Sequence, residues 1–136
     1  MKYLPLIANL LVGLTYTIFG LNGFFNFIPL PEMNTDSAAF VGVMMSSGFF
    51  SVIKVMQIVF GACILIGYQR PLMHLLLAPI TVAIVLFELL IAKQPGIGIL
   101  LALLTGYMFF VYREHFLPIV AKNTSLTHLS SKAVQI

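Results

Sequence analysis

The feature that most restricts this chain is a run of about 25 residues, 3–27, with no charged side chain. Wound as a helix at ~1.5 Å per residue it is roughly 37 Å long, more than a ~30 Å hydrocarbon layer requires. Three further apolar runs follow, at 49–67, 71–91 and 97–116. A lipid interior satisfies no backbone polar groups, so such runs cross it as helices. The chain has 136 residues, of which 60% are hydrophobic and 8% charged, with mean hydropathy +1.06. A globule of this size could not bury so much apolar surface, and soluble domains are nearer a quarter charged. The expected fold is therefore all-α and polytopic: a four-transmembrane-helix bundle over residues 1–120 and a polar cytoplasmic tail over 121–136. The first run is read as a retained helix. Only Lys2 precedes it, it is longer than a signal-peptide core, and no A-x-A site follows.

Between the first two spans the segment 28–37 carries Pro29, Pro31, Glu32 and Asp36, and reads as a loop in which Asp36 or Ser37 caps a short helix. That helix, 38–47, is about 15 Å long and cannot cross. It is predicted to be interfacial or re-entrant, with Phe40, Val41, Met44 and Met45 as its apolar side. The alternative, that it extends the second span, stays open. Pro71 suits a first helical turn. Pro79 lies within the third span, where a missing donor predicts a kink. Gly13 and Gly20 share one face of the first span, and Gly98, Ala102 and Gly106 form a small-residue seam in the fourth; both invite close helix packing.

Basic residues set the orientation. With the N-terminus inside, Lys2, Arg70, Arg113, Lys122 and Lys132 fall on one side, and Lys93 with the acids Glu32 and Asp36 on the other. The positive-inside rule then puts both termini in the cytoplasm. Tyr3, Tyr68 and Tyr112 stand beside bases at the inner boundary, as interfacial anchors do. With so few charges, the net +3 carries no argument for nucleic acid.

Topology turns positions into depths. Lys54 lies about five residues, roughly 8 Å, below the outer boundary of the second span. Asn22 and Glu88 fall at a similar depth on the first and third spans, and Gln57 one turn deeper on the face of Lys54. Lys54 and Glu88 are the base and the acid within the spans, so pairing is the economical arrangement. Three outcomes stay open: a salt-bridged knot that fixes helix register, separate snorkelling to the headgroups, or a polar pocket under the short helix.

Other residues carry less. Cys63 is a single thiol in an apolar run, without a partner for a disulfide, a C-x-x-C pair or a cysteine metal cage. His74, His115 and His128 lack the spacing of a metal site; His74 and His115 read as interfacial residues and His128 as part of the tail. No P-loop, nucleotide-binding glycine motif or Ser-His-Asp set can be assembled.

Several motifs, in order, resemble the DoxX family of small four-span bacterial inner-membrane proteins. They are Gly20-Leu21-Asn22-Gly23-Phe24-Phe25-Asn26-Phe27, Ser47-Gly48-Phe49-Phe50 leading to Ile53-Lys54, Leu77-Ala78-Pro79-Ile80, and Tyr112-Arg113-Glu114-His115-Phe116. The resemblance covers all but the tail. It departs at two positions: Gln57 stands where many relatives carry an acid, and Glu88 where many carry a histidine. The resemblance implies a compact bundle associated with quinone-linked redox complexes, while no redox residues are present to carry that activity over. Two function classes are open. One is a non-catalytic subunit or assembly partner of a membrane redox complex. The other is a binder or enzyme for a small lipophile such as a quinone, held by Asn22, Lys54, Gln57 and Glu88. A proton-coupled transporter is less economical, with one acid in the spans. No covalently bound cofactor and no metal is expected.

Overall fold

The computed structural model describes residues 2–29 and 32–120. Expectations for Pro31, His128, the bases Lys122 and Lys132, and the tail 121–136 concern residues outside these. Among the described residues the structure is all-helical: α1 (Leu4–Phe25), α2 (Thr35–Ser46), α3 (Phe49–Ile66), α4 (Arg70–Leu86), α5 (Ile97–Val111) and α6 (Arg113–Val120). A π-helical turn, Phe87–Ile91, extends α4. α1, α3, and α4 with its π-turn are long and apolar enough to cross a membrane, and α5 with α6 adds a fourth if that bent pair is one span. Leu90, Leu103 and Phe110 are among many large apolar side chains turned outward, an arrangement suited to lipid rather than water. This is a membrane protein.

α1 packs on α3, α3 on α4, α4 on α5 and α5 back on α1. The tightest contact is α1 against α3. A Cβ on Gly61 would stand 2.9 Å from the Gly13 carbonyl oxygen and 2.7 Å from Thr17 Oγ1, so neither helix admits a larger residue at that crossing. Val12, Tyr16, Ile64, Met73, Leu77 and Leu101 form the core between the four helices, with Cys63 half-buried against it. The small-residue seam of α5 behaves differently along its length. Gly98 is buried against Glu88 and Ile84, whereas nothing lies within 4 Å of a Cβ placed on Gly106.

Three features differ from the sequence expectations. α2 begins at Thr35, capped by Asn34, whose Oδ1 accepts the Ser37 N–H at 2.8 Å; neither Asp36 nor Ser37 is the cap. α4 carries Pro79 within its length, and its winding changes at the π-turn Phe87–Ile91, which the sequence pattern does not announce. α5 ends at Val111 instead of running to residue 116, and α6 leaves it at 80°. The Arg113-Glu114-His115 triplet is exposed beyond that break, where charge cannot follow an apolar span. α5 alone, at 15 residues, is only about 22 Å long.

Candidate functional site

The interior carries polar groups in layers. Positions seven apart recur along α1 (Asn9, Tyr16, Gly23), along α4 and its π-turn (His74, Thr81, Glu88) and along α5 and the residue after it (Gly98, Thr105, Tyr112), the two glycines making room where the others carry polar side chains. Seven residues are two helical turns, so the layers lie about 10 Å apart on one face of each helix.

At the end marked by Tyr3, Tyr68 and Tyr112, His74 is fully buried. Its Nε2 lies 2.9 Å from Asn9 Oδ1, and the Asn9 amide donates to the Pro5 carbonyl (3.0 Å) and the Tyr112 hydroxyl (3.1 Å). An amide oxygen only accepts, so Nε2 holds the His74 proton and Nδ1 has no partner among the described residues. This corrects the interfacial reading of His74, because α1 and Tyr112 cover it. Sequence reasoning missed this cluster; the seven-residue spacing of Asn9 to Tyr16 and of His74 to Thr81 was its trace. In the middle layer the Thr81 hydroxyl donates to the Leu77 carbonyl (3.0 Å) and accepts from the Tyr16 phenol.

At the opposite end a cavity of about 420 Å³ opens between α1, α2, α3, α4 and the start of α5. Its wall is mostly apolar, with Phe19, Phe50, Ile84 and Leu101 among its members. Ser37, Val41 and Met45, spaced by four, bring one face of α2 onto it. α2 is held there by Asn34, whose amide donates to the carbonyls of Ile91 (3.0 Å) and Ala92 (3.2 Å), and by the Phe40 and Phe87 rings at 5.6 Å.

Asn22, Lys54, Gln57 and Glu88 all line this cavity, but they are not equivalent. Asn22 is buried and engaged with its own chain: Oδ1 accepts the Ile28 N–H at 2.6 Å and the amide donates back to the Ile28 carbonyl at 3.3 Å. It closes the turn after α1. Glu88 does not pair with Lys54. Its carboxylate accepts from the Gly98 N–H (3.0 and 3.1 Å) and the Gly96 N–H (3.2 Å), at the N-terminus of α5. Unsatisfied N–H groups and the helix dipole make that terminus a site for negative charge, so the acid is neutralised by backbone. Gly96 and Gly98 make room, since a Cβ on either would approach the carboxylate to 2.6 or 2.7 Å.

Lys54 is thereby left with neutral company. Nζ donates to Gln57 Oε1 at 3.2 Å and sits 4.9 Å from the centroid of the Phe50 ring. Among the described residues it forms no ion pair. Its stem lies in a notch at Gly23, where a Cβ would come within 2.5 Å of Cγ and 2.7 Å of Cδ. Glu32, the other acid on the wall, is exposed. The Ser37 hydroxyl is fully buried and, like that of Thr105, has no hydrogen-bond partner among the described residues. Among the described residues no group of three or more His, Cys, Asp or Glu is placed to hold a metal ion. Comparison with known proteins finds no matching family model, no matching curated protein and no matching solved structure.

Proposed function

We propose that this chain binds a small lipophilic molecule with an oxygen-bearing polar end, a quinone being one member of that class, in the cavity beneath α2. The observation that carries the reading is Lys54: an ammonium without a counter-ion among the described residues, set in the wall of a mostly apolar cavity of about 420 Å³. Small-molecule sites are typically apolar hollows of ~300–1,000 Å³ with a few convergent polar groups. Lys54 and the Gln57 amide supply donors, and no catalytic role is assigned to either. In this reading the chain is a DoxX-like protein of the bacterial inner membrane with both termini cytoplasmic. α5 and α6 form its broken fourth span, and α2 lies at the outer surface as an interfacial helix over the cavity.

Native mass spectrometry after gentle purification tests the reading. Wild type should retain a stoichiometric lipophile, and Val41→Trp, which fills the cavity from α2, should lose it. A chain that carries no lipophile, or one that Val41→Trp still retains, refutes the cavity as the site. A second reading, a non-catalytic subunit of a quinone-linked membrane complex, is favoured by the open apolar groove of about 290 Å³ at Ala102, Gly106 and Val82. Small residues facing outward suit the approach of another membrane helix. A stoichiometric protein partner in the same spectra, lost in Gly106→Leu, would support it.

A further inference from the structure

We infer that the lipophile is an anion: a single-chain amphiphile whose carboxylate is received by Lys54. The inference rests on the cavity reading and adds the charge of the ligand. Two charges from the apolar helices face this cavity, and their surroundings differ. The Glu88 carboxylate has its compensation in the Gly96 and Gly98 N–H groups, so it has no need of a cation from the ligand. The Lys54 ammonium has a neutral amide and an aromatic face, neither of which removes its charge. A carboxylate arriving at Nζ would exchange water for a charge-assisted bond in a medium poorer in dielectric than water.

The fit extends beyond charge. The Gly23 notch holds the lysine stem along α1, so the ammonium is positioned before any ligand arrives. Glu32 is exposed, where water screens its charge, and it does not set the sign of the interior. The volume corresponds to about fourteen waters at ~30 Å³ each, room for a headgroup and part of one chain rather than two.

The test is equilibrium binding of labelled palmitate, methyl palmitate and cetyltrimethylammonium to the full chain in nanodiscs of zwitterionic lipid. It is run at alkaline pH with protein-free discs subtracted. The three share an alkyl chain and differ in head charge. Palmitate should bind wild type at least about tenfold more tightly than either of the others, the worth of one charge-assisted bond. Lys54→Met should erase that preference and Lys54→Arg should keep it. Equal binding of palmitate and its ester overturns the anion while leaving the cavity reading intact. So does tighter binding of the ammonium, or a palmitate preference that survives Lys54→Met. Failure of all three to bind overturns both. The headgroup comparison in wild type stands even if a variant does not fold.

Discussion

Glu88 offers the sharpest test of the geometry. Glu88→Ala leaves the Gly96 and Gly98 N–H groups without an acceptor at the start of α5. A hydrogen bond to an ionised group contributes about 1.5–3 kcal/mol. The bond to Gly98 is half-buried and counts nearly in full; that to Gly96 is exposed, and water replaces much of it. The expected loss is therefore about 2–4 kcal/mol. Glu88→Gln keeps a carbonyl acceptor and forfeits mainly the charge facing the helix dipole, about 1 kcal/mol. The assay is thermal unfolding in detergent followed by a thiol-reactive dye, since Cys63 is the single cysteine and is packed against the core. The decisive measurement adds Lys54→Met. Lys54 and Glu88 have separate partners, so the stability losses of Glu88→Gln and Lys54→Met should add within about 0.5 kcal/mol. Had they been an ion pair, removing both would be far milder than removing one. Recovery of more than about 1 kcal/mol in the Glu88→Gln, Lys54→Met double variant would refute the backbone-capped carboxylate.

Gly61→Ala should destabilise by about 1–3 kcal/mol in the same melt, because its Cβ meets the Gly13 carbonyl. Gly106→Ala, meeting nothing, should be neutral or stabilising by up to about 1 kcal/mol. Asn9→Ala should cost about 2–4 kcal/mol, since His74 and Tyr112 both lose their partner, and Tyr112→Phe about 1 kcal/mol; equal losses would deny Asn9 its bridging place. For the proposed topology, in a Cys63→Ala background, Lys93→Cys should react with an impermeant maleimide from outside and Lys2→Cys only after permeabilisation. The reverse pattern would invert the orientation.

Much of the architecture is written in local patterns. Apolar runs reveal helices that can cross a membrane, because lipid leaves the backbone no alternative. Gly13 on one face of α1 marks its contact with α3 for a similar reason: only a missing side chain lets backbones meet. Depth reasoning also brought Asn22, Lys54, Gln57 and Glu88 to one level, and the structure sets all four on one cavity. What it could not supply was the allocation of partners. A sequence displays side-chain charges and hides backbone N–H groups, so a lone acid and a lone base invite pairing while the α5 terminus goes unnoticed. The carboxylate crosses to that terminus because the π-turn and the residues after it return the chain to Glu88, a local geometry without an apolar signature. His74 escaped for a related reason. Its cover comes from α1 and from the residue after α5, and the antiparallel register that aligns Asn9 with Tyr112 cannot be read from either segment alone.

The brevity of α5 bears on the lipid around the protein. α1, at 22 residues, reaches about 33 Å, and α5, at 15, about 22 Å before the chain turns through 80°. The molecule is thus taller in apolar height on one flank than on the other. In a hydrocarbon layer near ~30 Å the α1 flank matches while the α5 flank is short. In a bilayer the lipid tails beside α5 would have to compress or disorder, with headgroups descending toward Tyr112 and the break before α6, because α1 continues past Asn9 to Leu4 at that end. Lengthening the acyl chains would increase this strain on one side only, which links the body's tilt to membrane thickness.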